Sequence, residues 1–260
     1  MTTSSDTTRE YERRLNRVLE HLWYHPDDEN DLGKLAEIAC FSRFHFHRIF
    51  HALVGEPVGV YVRQLRLRQA AYRLVYNSSS VTEIALDSGF ESPAAFSRAF
   101  SRLFGESPSR FRKRGKALTE QYRQPPRVTL EQSTEPPIDE VELVTLEPMT
   151  VAYVRSDKGY LPEGVGPAFE RLMEFNYAQE KLPAGGVGVR WLTSGLFARY
   201  RYFGPYSGLS GAYDRLIRGW LINSAYEMRD VPSREFYRYY SEDAPPEDLL
   251  TEIHLPIKRL

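Results

Sequence analysis

FSRFHFHRIFH, residues 41–51, packs four phenylalanines and three histidines into eleven positions. His47 and His51 stand four apart, the spacing that sets two imidazoles on one helix face for a metal. Phe46, Ile49, Phe50 and Leu53 recur at i, i+3, i+4 and i+7, which makes one buried stripe of a helix over 43–54. At 100° per residue, Phe44, His47, Arg48 and His51 fall on the opposite side. His45 lies on the flank, as a partly buried, hydrogen-bonded ring. Two histidines leave a metal under-coordinated, and that helix face carries no Asp or Glu. The expected use of the face is therefore contact with a partner, without metal or cofactor.

Working outward, DLGKLAEIA (31–39) reads as a helix with an acidic cap that buries Leu32, Leu35, Ala36 and Ala39. Only Cys40, Phe41 and Ser42 separate it from the second helix. A short helix, a tight turn and a helix with an exposed polar face make a helix-turn-helix. The plan is repeated about fifty residues later. Ala36 aligns with Ala85 and Phe41 with Phe90; after one residue of slippage, Phe46, Arg48 and Phe50 align with Phe96, Arg98 and Phe100. In the second copy Ser80 caps one helix, and another begins near Ser92 with Phe96, Ala99, Phe100 and Leu103 inward. Ala94, Ser97, Arg98 and Ser101 point outward, with Arg102 on the flank. Gly89 suits the left-handed turn between the helices. Cys40 holds the same place in the first copy, which implies strain or a different turn.

PVGVYVRQLRLRQAAYRLVYN (57–77) joins the two units as a helix started by Pro57. It is expected to bury Val60, Leu67, Ala71 and Leu74 and to leave Arg63, Arg66, Arg68 and Arg73 outside. A rigid connector of this kind would set two recognition helices about one DNA turn, roughly 34 Å, apart. Charge agrees. The chain totals −1, but residues 1–31 carry −4, 32–116 carry +8 and 117–260 carry −5. The basic middle block fits a phosphate-binding surface. Arg43, Arg66, Arg102 and Arg112 are the candidate phosphate contacts. Cys40 is the only cysteine, which excludes an internal disulfide and a Cys-based zinc site. No apolar run is long enough to span a membrane, and the N-terminus lacks a signal-peptide pattern. A cytoplasmic setting is expected.

Two Pro-Pro pairs mark 117–138 as a linker. The expected domains are thus 1–116, all-α with two helix-turn-helix units, and 139–260, α+β with an antiparallel sheet. The second is itself a faint strand-helix repeat: LEPMTVAYV resembles LTSGLFARY, and AFERL resembles AYDRL. Helices are expected over 164–181 and from Ser207 to Leu221, the latter facing Leu209, Tyr213, Leu216 and Trp220 inward. In TEIHLPI (251–257), Thr251, Ile253, Leu255 and Ile257 alternate with Glu252 and His254. Glu252 would then face a cleft among Tyr200, Tyr202, Tyr206, Trp220 or Tyr239, suited to a cationic or amphipathic ligand. The competing reading pairs Glu252 with an arginine such as Arg238.

LAEIACFSRFHFHRIFHALVGEPVGVYVRQLRLRQAAYRL and IALDSGFESPAAFSRAFSRLFGESPSRFRKR resemble, over residues 32–114, the DNA-binding domain of the AraC/XylS transcription regulators. The resemblance implies base contacts from Phe44, His47 and Arg48 in the first unit and from the matching Ala94, Ser97 and Arg98 in the second, where Pro93, Ala94 and Ala95 in place of polar readers imply that few base edges are read directly. Arg48 has the planar fork that matches guanine O6 and N7. FARYRYFGPYSGLSGAYDRLIRGWL, YEMRDVPSREFYRYY and PPEDLLTEIHLPI resemble the GyrI-like effector-binding domain over 141–258. There the resemblance implies a ligand cleft holding Glu252 with aromatic walls. A strand hairpin usual in that family is missing after Leu182-Pro183. Together these features imply a bacterial regulator that binds double-stranded promoter DNA, activates transcription through RNA polymerase, responds to a small molecule, and is not an enzyme. Two alternatives stay open: hydrolysis using Glu252 and His254, and a C-terminal domain that only docks proteins.

Overall fold

The structure is a computed structural model that describes residues 4–26, 31–114, 119, 124–130, 141–154, 170, 187–238 and 245–260. The described chain forms two compact units: residues 1–142 with 198–260, and residues 143–197.

The first unit begins with α1 (Ser4–Tyr24), α2 (Leu32–Ala39), α3 (Phe46–Val54), α4 (Val58–Tyr76), α5 (Val81–Asp87), α6 (Pro93–Phe104) and α7 (Pro108–Arg114). α1 lies N-terminal to the repeated stretch and buries Tyr11, Leu15, Val18, Leu19 and Leu22. Each helix-turn-helix has its own aromatic core. In the first, Phe46, Phe50 and Tyr61 meet at centroid separations of 5.8 and 5.6 Å. In the second, Phe100 touches Phe96, Phe104 and Phe111 at 5.4, 4.4 and 5.3 Å.

The caps follow the expected chemistry. Asp31 accepts from Gly33 N, and Ser80 and Glu83 form a reciprocal capping box. Ser92 accepts from Ala95 N, with Pro93 in the first turn of α6. Helix α3 starts later than expected. Arg43, Phe44 and His45 form a turn nucleated by Ser42, whose Oγ accepts from Phe44 N and whose carbonyl accepts from Phe46 N.

The two turns share one hydrogen-bond pattern. Cys40 N donates to Glu37 O and Phe41 N to Ala36 O; Gly89 N donates to Leu86 O and Phe90 N to Ala85 O. This is a helix stop with a left-handed residue at its end. Gly89 has φ 74°, and Cys40 has φ 51°, the one positive φ outside glycine among the described residues. A β-carbon there is strained.

The joining helix departs from expectation. Val60 is exposed, and so is Leu32 in the first turn of α2. α4 instead buries Val58, Tyr61, Val62 and Leu65 in its first half and Leu67, Ala70, Ala71 and Leu74 in its second. It packs on both helix-turn-helix motifs at once, so its buried arc is wider than one stripe and shifts along its length.

The rest of the first unit is a sheet and a broken helix. β4 (Gly195–Phe203), β7 (Leu250–Arg259) and β5 (Tyr226–Met228) follow one another, and β6 (Arg234–Tyr237) also pairs with β7. β5 and β6 run antiparallel to β7, with Met228 opposite Ile257 and Phe236 opposite Glu252. Helix α8 (Leu209–Arg215) continues through a π turn, Leu216–Trp220, and a 3₁₀ turn, Leu221–Asn223. Tyr213 and Leu216 are buried, Leu209 at the start of α8 is half-buried, and the π turn changes the phase of the inward face at its far end, where Trp220 is half-buried.

The second unit contains β1 (Glu142–Leu146) and an antiparallel pair, β2 (Met149–Val154) with β3 (Val187–Leu192), in register from Met149–Leu192 to Val154–Val187. The helix expected over 164–181 lies almost wholly outside the described residues, as does the Leu182–Gly186 segment. No described helix is long and apolar enough to cross a membrane.

Candidate DNA interface and effector face

The outward face of α6 is open. Ala94, Arg98 and Arg102 are exposed and Ser97 is half-buried, while Phe96 and Phe100 hold the helix from beneath. Spacings of three and four place Ala94, Ser97 and Arg98 on one patch. A guanidinium, a hydroxyl and a methyl there can meet base edges and phosphates.

The outward face of α3 is divided. Phe44 and His47 are exposed, and the exposed Arg43 guanidinium lies 5.0 Å from the Phe44 ring centroid. Arg48 is half-buried against other parts of the chain. Its guanidinium lies 3.7 Å from the Tyr213 ring centroid, donates to Ser233 Oγ at 3.0 Å, and reaches Glu235 Oε1 at 3.4 Å. Tyr213 donates its hydroxyl to the same Glu235 oxygen at 2.7 Å. Burial holds the Tyr213 phenol above its ordinary range, so it stays a donor.

Further contacts line up beside this one. Ser42 Oγ donates to Asp230 Oδ1 at 2.7 Å, His51 Nδ1 lies 3.2 Å from Asp214 Oδ1, and Arg218 Nε donates to Ala52 O. Thr7 and Thr8 donate to the carbonyls of Ser224 and Ile222 at 2.6 and 2.9 Å. Arg14 bridges Cys40 O to Glu227. His45 is more deeply buried than its flank position suggests. Its Nε2 lies 2.7 Å from Val231 O, so that nitrogen carries the proton, and Nδ1 has no hydrogen-bond partner among the described residues. Burial, with Arg48 nearby, pulls its pKa down to about 4 despite the Val231 hydrogen bond. Neither histidine of the apparent metal pair belongs to a cluster of three or more ligand-type residues among those described.

Of the other phosphate candidates, two are committed to main-chain carbonyls. Arg66 donates to Pro26 O and lies against Gly89. Arg112 donates to Leu74 O and Ser79 O, satisfying the end of α4. Arg43 and Arg102 remain on the surface.

Glu252 departs from the expected aromatic setting. It is buried, and Arg238 grips its Oε2 with Nη2 at 2.6 Å and Nε at 3.1 Å, while Arg201 Nε stands 3.5 Å from Oε1. Burial raises its pKa, but hydrogen bonding and charge from Arg238, then Arg199, carry it below the usual carboxylate range. Its sheet face also holds Phe236 and Arg234, opposite Glu252 and His254 in the register. Glu142 pairs with Arg199 and Arg201.

The expected aromatics go elsewhere. Tyr202 alternates with Arg201 onto the other side of β4 and donates to Pro205 O. Tyr206 meets Tyr237 edge-on, Trp220 stacks on Tyr226, and Tyr200 is half-buried. Tyr239 lies outside the described residues. The overlooked residues are Arg199 and Arg201. Their signal was the alternation in FARYRYF, which puts arginines and tyrosines on opposite faces. His254 is buried too, which lowers its pKa, as do Arg199 and Arg238.

Two family models match the chain. Residues 35–114 match a family model described as a helix-turn-helix domain, and residues 183–258 match a GyrI-like small molecule binding domain. The chain is 40% identical over 84 residues to the "Probable transcription factor PqrA" of Proteus vulgaris, 32% of this chain and 69% of that one. It is 34% identical over 104 residues to the "HTH-type transcriptional regulator MtrA" of Neisseria gonorrhoeae, 40% of this chain and 35% of that one. The chain spans about a third of the length of several such relatives. A solved DNA-binding domain of AdpA in complex with a target DNA is 33% identical, covering 38% of this chain and 90% of its own, with a TM-score of 0.34. The chain belongs to the AraC-type helix-turn-helix family of transcription regulators and carries a GyrI-like domain.

Proposed function

We propose that this protein binds double-stranded promoter DNA sequence-selectively through α3 and α6 and activates transcription through contact with RNA polymerase, under control of a small molecule. The observation that carries the DNA reading is the open α6 face. Ala94, Ser97 and Arg98 stand on one patch above the Phe96–Phe100 core, duplicating the plan of α3. The functional division at 1–116, 117–138 and 139–260 is part of the same reading. Selection from random duplexes should return a defined site, bound with an affinity that falls steeply as salt rises. Binding that ignores sequence and salt would overturn the proposal.

The effector face supports an anionic or amphipathic ligand over a cationic one. Glu252 is already neutralised by Arg238 and Arg201, and Arg199 adds charge beside it. Bringing a cation there would require displacing the Arg238 guanidinium, itself half-exposed, from the buried Glu252 carboxylate. The same clamp supports a non-catalytic role, because a carboxylate held ionised by arginines is a weak base for abstracting a proton. An aromatic sulfonate should raise the melting temperature, and an aromatic quaternary ammonium of similar size should not. Stabilisation by the ammonium alone would restore the cationic reading; stabilisation by neither would favour a domain that only docks proteins.

A further inference from the structure

The polar face of α3 is the one the DNA reading needs, and in this structure protein covers much of it. Residues 222–235 run beside α1 and α3, touching them through the carbonyls of Ile222, Ser224 and Val231 and the side chains of Glu227, Asp230, Ser233 and Glu235. Helix α8 closes the same face with Tyr213 and Asp214. Four of these contacts are carboxylates set against Arg14, Ser42, Arg48 and His51, groups a DNA backbone or base edge could otherwise engage.

We infer that residues 222–235 and α8 form an intramolecular cover over the first recognition helix, so that this conformation is closed to DNA at α3 and open at α6. The inference rests on the DNA reading above and names its regulation. The steric argument is direct. The major groove is about 12 Å wide and a helix with its side chains about 10–12 Å across. A groove that just admits one helix has no room for α3 with Tyr213, Ser233 and Glu235 stacked on its arginine. DNA and the cover therefore compete for Arg48, and a ligand that weakens the cover raises DNA affinity.

β6 is the piece of chain through which an effector could act. Glu235 faces Arg48, while its neighbours Arg234 and Phe236 alternate onto the sheet face of His254 and Glu252. A ligand that shifts Arg234 or Arg238 moves the strand that carries Glu235.

The test uses the full chain and a pool of random duplexes about forty base pairs long, enough to span two major grooves one turn apart. Asp214→Asn, Asp230→Asn and Glu235→Gln together neutralise the three carboxylates set against Ser42, Arg48 and His51 and leave every DNA-side residue intact. Glu147→Gln, Glu247→Gln and Asp248→Asn remove the same charge from exposed positions elsewhere. The cover variant should bind at least roughly tenfold tighter than the control, with a steeper fall in affinity as salt rises, because two units then engage. Equal gains in both variants would mean bulk charge alone, and no gain in the cover variant would mean no competition; either overturns the cover. If the triple variant does not fold, Glu235→Gln against Glu247→Gln is read the same way. Absence of duplex binding by every form, wild type included, would instead overturn the DNA reading on which the cover rests.

Discussion

Helices α3 and α6 are copies of one design with different surroundings. Both sit on phenylalanines four residues apart, Phe46–Phe50 and Phe96–Phe100, and both carry an outward arginine at matching positions, Arg48 and Arg98. Arg98 is exposed; Arg48 lies on Tyr213 between Ser233 and Glu235. The difference lies in what packs on each helix from elsewhere in the chain. A duplicated unit thus need not be duplicated in use, because the availability of a reading face depends on its neighbours as much as on its own residues.

The shared cores provide the strongest test. Phe100→Ala should cost about 3–5 kcal/mol by leaving a cavity among Phe96, Phe104 and Phe111, measured by urea denaturation. Phe50→Ala should cost as much, and a loss well below 2 kcal/mol in either would mean that the helix is not anchored as described.

The buried ring under α3 gives the next effect, one that α6 lacks. His45 has a folded pKa of about 4 against an ordinary 6.5. Above pH 6.5 it is neutral folded and unfolded. As pH falls from 6.5 toward 4, the unfolded chain takes up a proton that the folded chain resists. Stability is therefore lost across that window, by about 3 kcal/mol when complete. Urea midpoints at pH 7 and pH 5 measure it, and His45→Gln should flatten the difference. An unchanged slope in that variant would place the acid sensitivity elsewhere.

On DNA, Arg98→Ala should weaken binding to the selected site by about 1–3 kcal/mol. Arg48→Ala should weaken it less in the full chain, because it removes a contact to the cover as well as one to the base. Equal losses, read by fluorescence anisotropy, would erase the asymmetry between the helices.

The smallest effect concerns the turns. Cys40→Gly relieves a left-handed backbone that Gly89 adopts without strain, and should stabilise the chain by about 1 kcal/mol. A melting temperature that does not rise would show that the contact of Cys40 Sγ with Arg17 offsets the strain.

The two helix-turn-helix units were legible because each buries one stripe, and such stripes leave a periodic mark. Phe46, Ile49, Phe50, Phe96 and Phe100 are all in the core. α4 misled at Val60 because it is packed by both units. Glu252 was legible in part: the competing pairing with Arg238 is present, but alternation in TEIHLPI reads as one wet face, whereas residues 251–257 are buried on both sides. The further arginines that make this tolerable, Arg199 and Arg201, come from β4, distant in sequence. Segment 222–235 left no periodic mark at all. It is short strands and loop, and its contacts with α1 and α3 bridge about 185–217 positions.

The most direct measurement of the asymmetry is the rate at which an arginine-specific dicarbonyl reagent modifies each guanidinium of the native full chain, followed by peptide mass spectrometry. Arg98 and Arg102 should react quickly and Arg48 slowly, with Arg48 accelerating once Asp214, Asp230 and Glu235 are neutralised. An Arg48 that reacts as fast as Arg98 in the unaltered protein would contradict the covered first helix.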